Sequence, residues 1–207
     1  LTLEGGWTGD FTSRDIQPDN TVLDGQNSGR VLKLNNESTL HAGDIVVEGF
    51  TFRNGTITET GGGVWLTGYP PGTLRFLNNV VEDNTSDGYS GGGAFIRNQY
   101  TGSHTAGPID IMGNIFRNNT CGGVSGSGGA AYIYSSDETV MANNLVHGNT
   151  VATASSGISQ AGAFLIVSCD GTLNMFNNTI VGNSAVDRSG GVMLANQSSA
   201  WLPFHHV

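Results

Sequence analysis

The stretch Leu74–Ile96 is written again and again along this chain, and that repetition constrains the fold more than any other feature. It reads L-R-F-L-N-N-V-V-E-D-N-T, then a Ser/Gly-rich turn, then G-G-G-A-F-I. Related lines stand at Ile109–Ile133, Val140–Leu165 and Leu173–Leu194, with a more divergent copy at Ile45–Leu66. A unit of about 30–35 residues cannot bury its apolar face alone, so five of them in succession predict a stacked solenoid.

Two landmarks set the expected alignment of the copies. The first is an Asn near the end of a strand segment: Asn54, Asn84, Asn119, Asn149 and Asn183. The second is a run of small residues before the next strand: Gly62-Gly63, Gly92-Gly93, Gly129-Ala130, Ala161-Gly162 and Gly190-Gly191. Successive Asn landmarks are 30, 35, 30 and 34 residues apart, and the extra residues fall in Gly/Ser/Thr stretches where loops absorb them. Against these landmarks the segment Glu48–Asn54 slips by one residue, which predicts a bulge or an altered corner there.

The apolar runs are four to six residues long, rich in Val, Ile, Phe and Thr, and they alternate. Leu74 and Phe76 flank Arg75, Ile109 and Ile111 flank Asp110, and Leu173 and Met175 flank Asn174. Helix formers are scarce, with one Lys and six Glu, and 32 of 207 residues are Gly. No segment between the Gly and Asn punctuation is long enough for an amphipathic helix. The expected fold is all-β: a right-handed parallel β-helix of about five regular coils, each with two or three strands, stacked about 4.8 Å apart. Residues 1–43 would supply entry strands and partial coils, and residues 44–207 the regular repeats of one continuous domain.

Stacked coils bring like residues together, so the Asn column is expected to form a structural ladder in which each side-chain amide bonds to the coil next to it. A second column, Asn79, Asn114, Asn144 and Asn178, fits the same role. Asn also tolerates the left-handed backbone of a sharp corner.

The residues Leu3-Glu4-Gly5-Gly6-Trp7 through Phe11-Thr12-Ser13-Arg14-Asp15, followed by Thr21-Val22-Leu23-Asp24-Gly25, resemble the opening of bacterial secreted right-handed parallel β-helix proteins. The later copies are similar to the repeats of polymorphic outer membrane proteins, which pair a G-G-A-I-like line with an F-x-x-N line. Here those lines are Gly92-Gly93-Ala94-Phe95, Gly190-Gly191-Val192-Met193 and Gly62-Gly63-Val64-Trp65 on one side and Phe116-Arg117-Asn118-Asn119 on the other. Val81, Val146 and Ile180 replace the Phe in other copies. The resemblance implies a pectate-lyase-like fold and an extracellular or cell-surface protein with adhesive, scaffolding or assembly roles.

Composition narrows the function classes. A net charge of −9 argues against nucleic acid or an anionic membrane surface as partner. No apolar run approaches 18 residues, so no transmembrane helix is expected. The terminal segments Leu1-Thr2-Leu3 and Trp201–Val207 read as parts of a longer polypeptide, and uncapped coils would expose strand edges to self-association. Cys121 and Cys169 fall at different corners of the coil, which argues against a disulfide between them.

No catalytic constellation is written in the chain. Enzymes on this fold, such as pectate lyases and polygalacturonases, need clustered carboxylates or Ca²⁺-binding acids beside a base. Here Asp and Glu are scattered, and Glu82, Arg117 and His147 share an outward column that reads as a surface charge ladder. No cofactor is expected; Ca²⁺ is the one ion that the acidity is compatible with. His205-His206 would point to opposite faces of a strand, and His41 and His104 lie in loops without a partner in sequence reach.

One column has the chemistry of a binding surface. Trp65, Phe95, Tyr132 and Phe164 alternate with the small or aliphatic Val64, Ala94, Ala131 and Ala163, and are followed by Leu66, Ile96, Ile133 and Leu165. Next come Thr67, Arg97 and Tyr134, which suggests that the aromatic column points outward. An outward ribbon of rings would suit a polysaccharide, a protein surface or a second copy of the chain. The alternatives are loops such as Asn98–Gly107 folded over the ribbon, or a reversed polarity with the rings inside. The rival to a binding role is a polysaccharide-active lyase or hydrolase, or its carbohydrate-binding module.

Overall fold

The alternation of apolar and polar residues becomes a stack of short parallel strands in a computed structural model. The structure describes residues 1–17, 21–35, 43–68, 71–98, 107–123, 125–135, 137–152, 160–168 and 171–196. Each regular coil carries four strands, one more than the sequence suggested. A corner interrupts the apolar run after every three or four residues, and the strand after the second corner is only two residues long.

Taken in the order the chain meets them, the first sheet stacks Thr2–Glu4, Ile45–Glu48, Leu74–Leu77, Ile109–Met112, Thr139–Ala142 and Leu173–Phe176. The second stacks Val22–Asp24, Thr51–Arg53, Val80–Glu82, Ile115–Arg117, Leu145–His147 and Thr179–Val181. The third stacks Thr56–Ile57, Thr85–Ser86, Thr120–Cys121, Thr150–Val151 and Ser184–Ala185. The fourth stacks Leu32–Asn35, Val64–Gly68, Ala94–Asn98, Ala131–Ser135, Phe164–Ser168 and Met193–Asn196. All of these pairings are parallel and join one coil to the next, which makes a right-handed parallel β-helix of about five turns.

The corners explain the Asn-rich composition. Between the first and second strands the chain turns through a left-handed residue, Asn78 at φ 51° or Gly113 at φ 69°, and then an inward Asn. Between the second and third it repeats the device with Asp83 at φ 53° or Asn118 at φ 56°, again followed by an inward Asn. Asn, Asp and Gly are the residues that adopt this conformation at least cost.

Inside the coils the strands place Leu74, Phe76, Ile109, Ile111, Ile96 and Ile133 in a fully buried core. An aromatic file runs along the axis, with Phe52–Phe76 centroids 6.0 Å apart, Phe76–Phe116 6.2 Å, and Phe116–Phe164 5.4 Å edge-on. At the start of the chain, Trp7 and Arg14 form an antiparallel bridge that closes a hairpin excursion between the first-sheet and second-sheet strands.

No bulge occurs at Glu48–Asn54. Glu48 pairs with Leu77 and Thr51 with Val80, so two residues face two across the corner and the register is continuous. The apparent slip came from Asn54 itself. Arg53 pairs with Glu82 and Thr56 with Thr85, which puts Gly55 level with Asn84 and Asn54 level with Asp83. Asn54 is therefore a left-handed corner residue, at φ 54°, and its amide reaches Asp24. It stands outside the ladder.

Candidate functional site

The ladder begins at Gly55, whose backbone N–H donates to Asn84 Oδ1 at 2.8 Å. Asn119 Oδ1 accepts from the backbone N–H of Asn84 at 3.2 Å and from Asn84 Nδ2 at 3.0 Å. Asn149 Oδ1 serves Asn119 in the same way, and Asn183 Oδ1 serves Asn149. Each Nδ2 also donates to a strand carbonyl one coil earlier, as Asn119 does to Val81 at 2.8 Å. A second ladder runs through Asn79, Asn114, Asn144 and Asn178 with the same geometry. Asn84, Asn114, Asn119 and Asn149 are completely buried. Their side chains satisfy the backbone groups that the corners would otherwise leave unpaired, so these Asn residues are structural.

The outer face of the fourth sheet carries the aromatic ribbon. Strand pairing puts Lys33, Trp65, Phe95, Tyr132, Leu165 and Met193 in one outward column. Phe164 does not belong to it. It pairs with Ala131, is fully buried, and meets Phe116 in the core, while Leu165 takes the outward place. Within the small-residue run Gly162, not Ala161, stacks with Gly129, and a one-residue slip exchanges the two faces of a strand.

Trp65, Phe95 and Tyr132 are half-buried, and their rings are laid on one another along the axis. Trp65 and Phe95 centroids are 4.9 Å apart at 42°, and Phe95 and Tyr132 are 5.5 Å apart at 22°. Cations gather at the same end. Arg30 and Lys33 stand 5.0 Å and 5.3 Å from the Trp65 centroid, and Arg97 stands 5.9 Å from that of Phe95. Arg30 is tied down by Gly61 O at 2.8 Å, Thr60 O at 2.7 Å and Glu59 at 3.2 Å. Trp65 Nε1 is shielded and meets no acceptor among the described residues. Farther along the column the ribbon becomes aliphatic, and Leu165 and Val167 form a small outer core with Ala161, flanked by Tyr132, Tyr134, Met193 and Ala195.

The second sheet carries an alternating charge column on its outer face: Asp24, Arg53, Glu82, Arg117 and His147. Arg53 Nε bonds Asp24 at 2.8 Å, and Arg117 Nε bonds Glu82 at 2.6 Å. Asp24 is held below the usual carboxylate range by the backbone N–H of Gln26, the Asn54 amide and Arg53. Each carboxylate faces a guanidinium of the next coil, the arrangement of a cross-strand ion pair.

Among the described residues no group of three or more His, Cys, Asp or Glu side chains is placed to hold a metal ion. His41, His104, His205, His206 and Cys169 lie outside the described residues. Cys121 is a free, buried thiol whose Sγ lies 3.6 Å from Gly88 O, and burial pushes its pKa up. No helix among the described residues is long and apolar enough to cross a membrane.

The stacked coils, paired Asn ladders and continuous inner core define a parallel β-solenoid. The chain belongs to the family described as right handed beta helix region, whose model matches residues 19–202. No curated protein and no solved structure matches the chain significantly.

Proposed function

We propose that this protein is a non-catalytic β-solenoid displayed outside the cell, where it acts in adhesion, scaffolding or assembly through the outer face of its fourth sheet. The observation that carries the reading is the stacked column Trp65–Phe95–Tyr132 on the outside of the coil. The core is complete without it, so the stability of the solenoid alone does not require rings there. The likeness of the repeats to those of surface-displayed proteins supports the extracellular setting.

The ring geometry favours a protein surface over a sugar as the occupant. Stacking on a sugar needs an open ring face, and here Phe95 has a ring on both sides while Trp65 has Phe95 on one side and cations about it. The half-buried ring edges of Trp65, Phe95 and Tyr132 make a continuous strip suited to an apolar protein patch.

The test is binding of the purified chain to a panel of matrix proteins and polysaccharides, with light scattering across a concentration series to read self-association. A protein ligand, or a second copy, that binds wild type and is lost in Phe95→Ser but kept in Arg117→Ala supports the reading. Release of unsaturated or reducing ends from acidic polysaccharides would refute it in favour of an enzyme.

A further inference from the structure

The outward column of the fourth sheet is charged at one end. Strand register sets Lys33 one coil before Trp65 and Phe95 one coil after it, so the file runs Lys33, Trp65, Phe95, Tyr132. Lys33 Nζ stands 5.3 Å from the Trp65 centroid, and Arg97, in the neighbouring outward column, stands 5.9 Å from that of Phe95. With Arg30, three of the chain's eight Lys and Arg residues gather on two rings, although the chain carries 17 acids and a net charge of −9.

Lys33 differs from the paired cations. Arg14, Arg30, Arg53, Arg75 and Arg117 each meet a carboxylate of this chain. Lys33 is exposed and meets no carboxylate among the described residues; its ammonium has the Trp65 ring instead. In a chain whose acids outnumber its bases about two to one, a base without an acid is the exception. The ring holds the ammonium at one place on the sheet and leaves its charge open to a second partner. Trp65 Nε1–H, shielded close by, also meets no acceptor among the described residues, so this end of the ribbon is short of acceptors.

Given the docking role proposed for the ribbon, on which this step rests, we infer that its partner is an acidic segment of another protein. That segment sets a carboxylate against Lys33 and apolar side chains against the edges of Trp65, Phe95 and Tyr132. Charge complementarity selects it, because the cation without an acid lies at the head of the apolar strip and Arg97 stands beside its middle. From Lys33 to Tyr132 is three coil steps, about 14 Å, the reach of about four residues of extended chain. The segment therefore carries its acid within about four residues of its last apolar side chain. An acidic polysaccharide also offers carboxylates, but its sugar rings would need the ring faces that Phe95 and Trp65 turn to each other.

The experiment is fluorescence anisotropy at low salt with the full chain and three short labelled peptides: two Glu followed by Leu and Phe, the same with Gln for Glu, and the same with Lys for Glu. Wild type is expected to bind the Glu peptide about two- to fivefold more tightly than the Gln peptide. Lys33→Gln should erase that preference, and Lys33→Glu should turn it toward the Lys peptide, a reversal that a structural role for Lys33 would not produce. Phe95→Ser should weaken all three peptides and Arg117→Ala none. Equal binding of the Glu and Gln peptides by wild type, or a Glu preference that survives in Lys33→Gln, would overturn the acidic partner. The docking role would still stand if Phe95→Ser weakened both, whereas binding indifferent to Phe95→Ser would refute that role itself. No peptide binding by wild type, or Lys33-dependent binding of sodium polygalacturonate in preference to the Glu peptide, would also overturn the proposal, the latter in favour of a polysaccharide.

Discussion

Replacing Asn119 with Leu keeps the volume of the side chain and removes its hydrogen bonds, so it isolates the worth of one rung. Asn119 Nδ2 donates to Val81 O and to Asn149 Oδ1, each at 2.8 Å, and its Oδ1 is the acceptor for Asn84 N–H at 3.2 Å. Asn84 Nδ2 retains Phe52 O at 3.0 Å, so the groups stranded in the variant are Asn84 N–H and one bond of Val81 O. Both residues are completely buried, and an unpaired buried group costs about 1–3 kcal/mol. The expected loss is about 2–6 kcal/mol, which for a chain of this size lowers Tm by about 4–24 °C. Arg117→Ala on the neighbouring outward position is the control. Its side chain is 43% exposed, so solvent screening reduces the value of its pair with Glu82 to about 1 kcal/mol, a few degrees of Tm. Thermal unfolding of the two variants and wild type, followed by circular dichroism at one scan rate, makes the comparison. Equal melting temperatures, or a milder effect of Asn119→Leu, would refute the idea that the ladder holds the corners together.

Phe164→Ala should cost about 3–5 kcal/mol by opening the core file, whereas Phe95→Ala on the outer face should cost markedly less; urea midpoints for the pair check which face each ring occupies. Asp44 is held low by the Thr73 backbone N–H first and by Arg75 second. Its folded-state pKa lies below the unfolded value, so its contribution is complete above that value, near 3.8, and is lost as pH falls through the depressed one. Asp44→Asn is therefore expected to flatten the acid limb of stability against pH, measured as urea midpoint. In a Cys169→Ser background, Cys121 should resist alkylation at pH 8 until the chain unfolds, since burial raises its pKa and hides its sulfur; mass spectrometry with and without denaturant gives the answer.

Much of the architecture was legible in the residues. The alternation around Arg75, Asp110 and Asn174 marked the first sheet, and all three lie half-buried between inward neighbours. Asn84, Asn119, Asn149 and Asn183 are legible as one column because Asn119, Asn149 and Asn183 each accept from the Asn one coil before, so like must stack on like. The two misplacements share one cause. Asn54 has the chemistry of a rung and of a left-handed corner, and it is the corner. Ala161-Gly162-Ala163 has no side chain large enough to show which residue is level with Gly129, so the residue order alone does not tell that Phe164 faces inward.

The chain by itself determined the coil: its length, its strand character and the polar columns that close its corners all follow from a period and an alternation in the residue order. Only the tertiary structure decided which of two adjacent residues faces inward at the corner of Asn54 and at the start of the Phe164 strand. Neighbouring residues on a strand point to opposite faces, and where both candidates are small or both are polar, local chemistry is the same for either choice. The decision then rests with the coils above and below, whose packing admits one register.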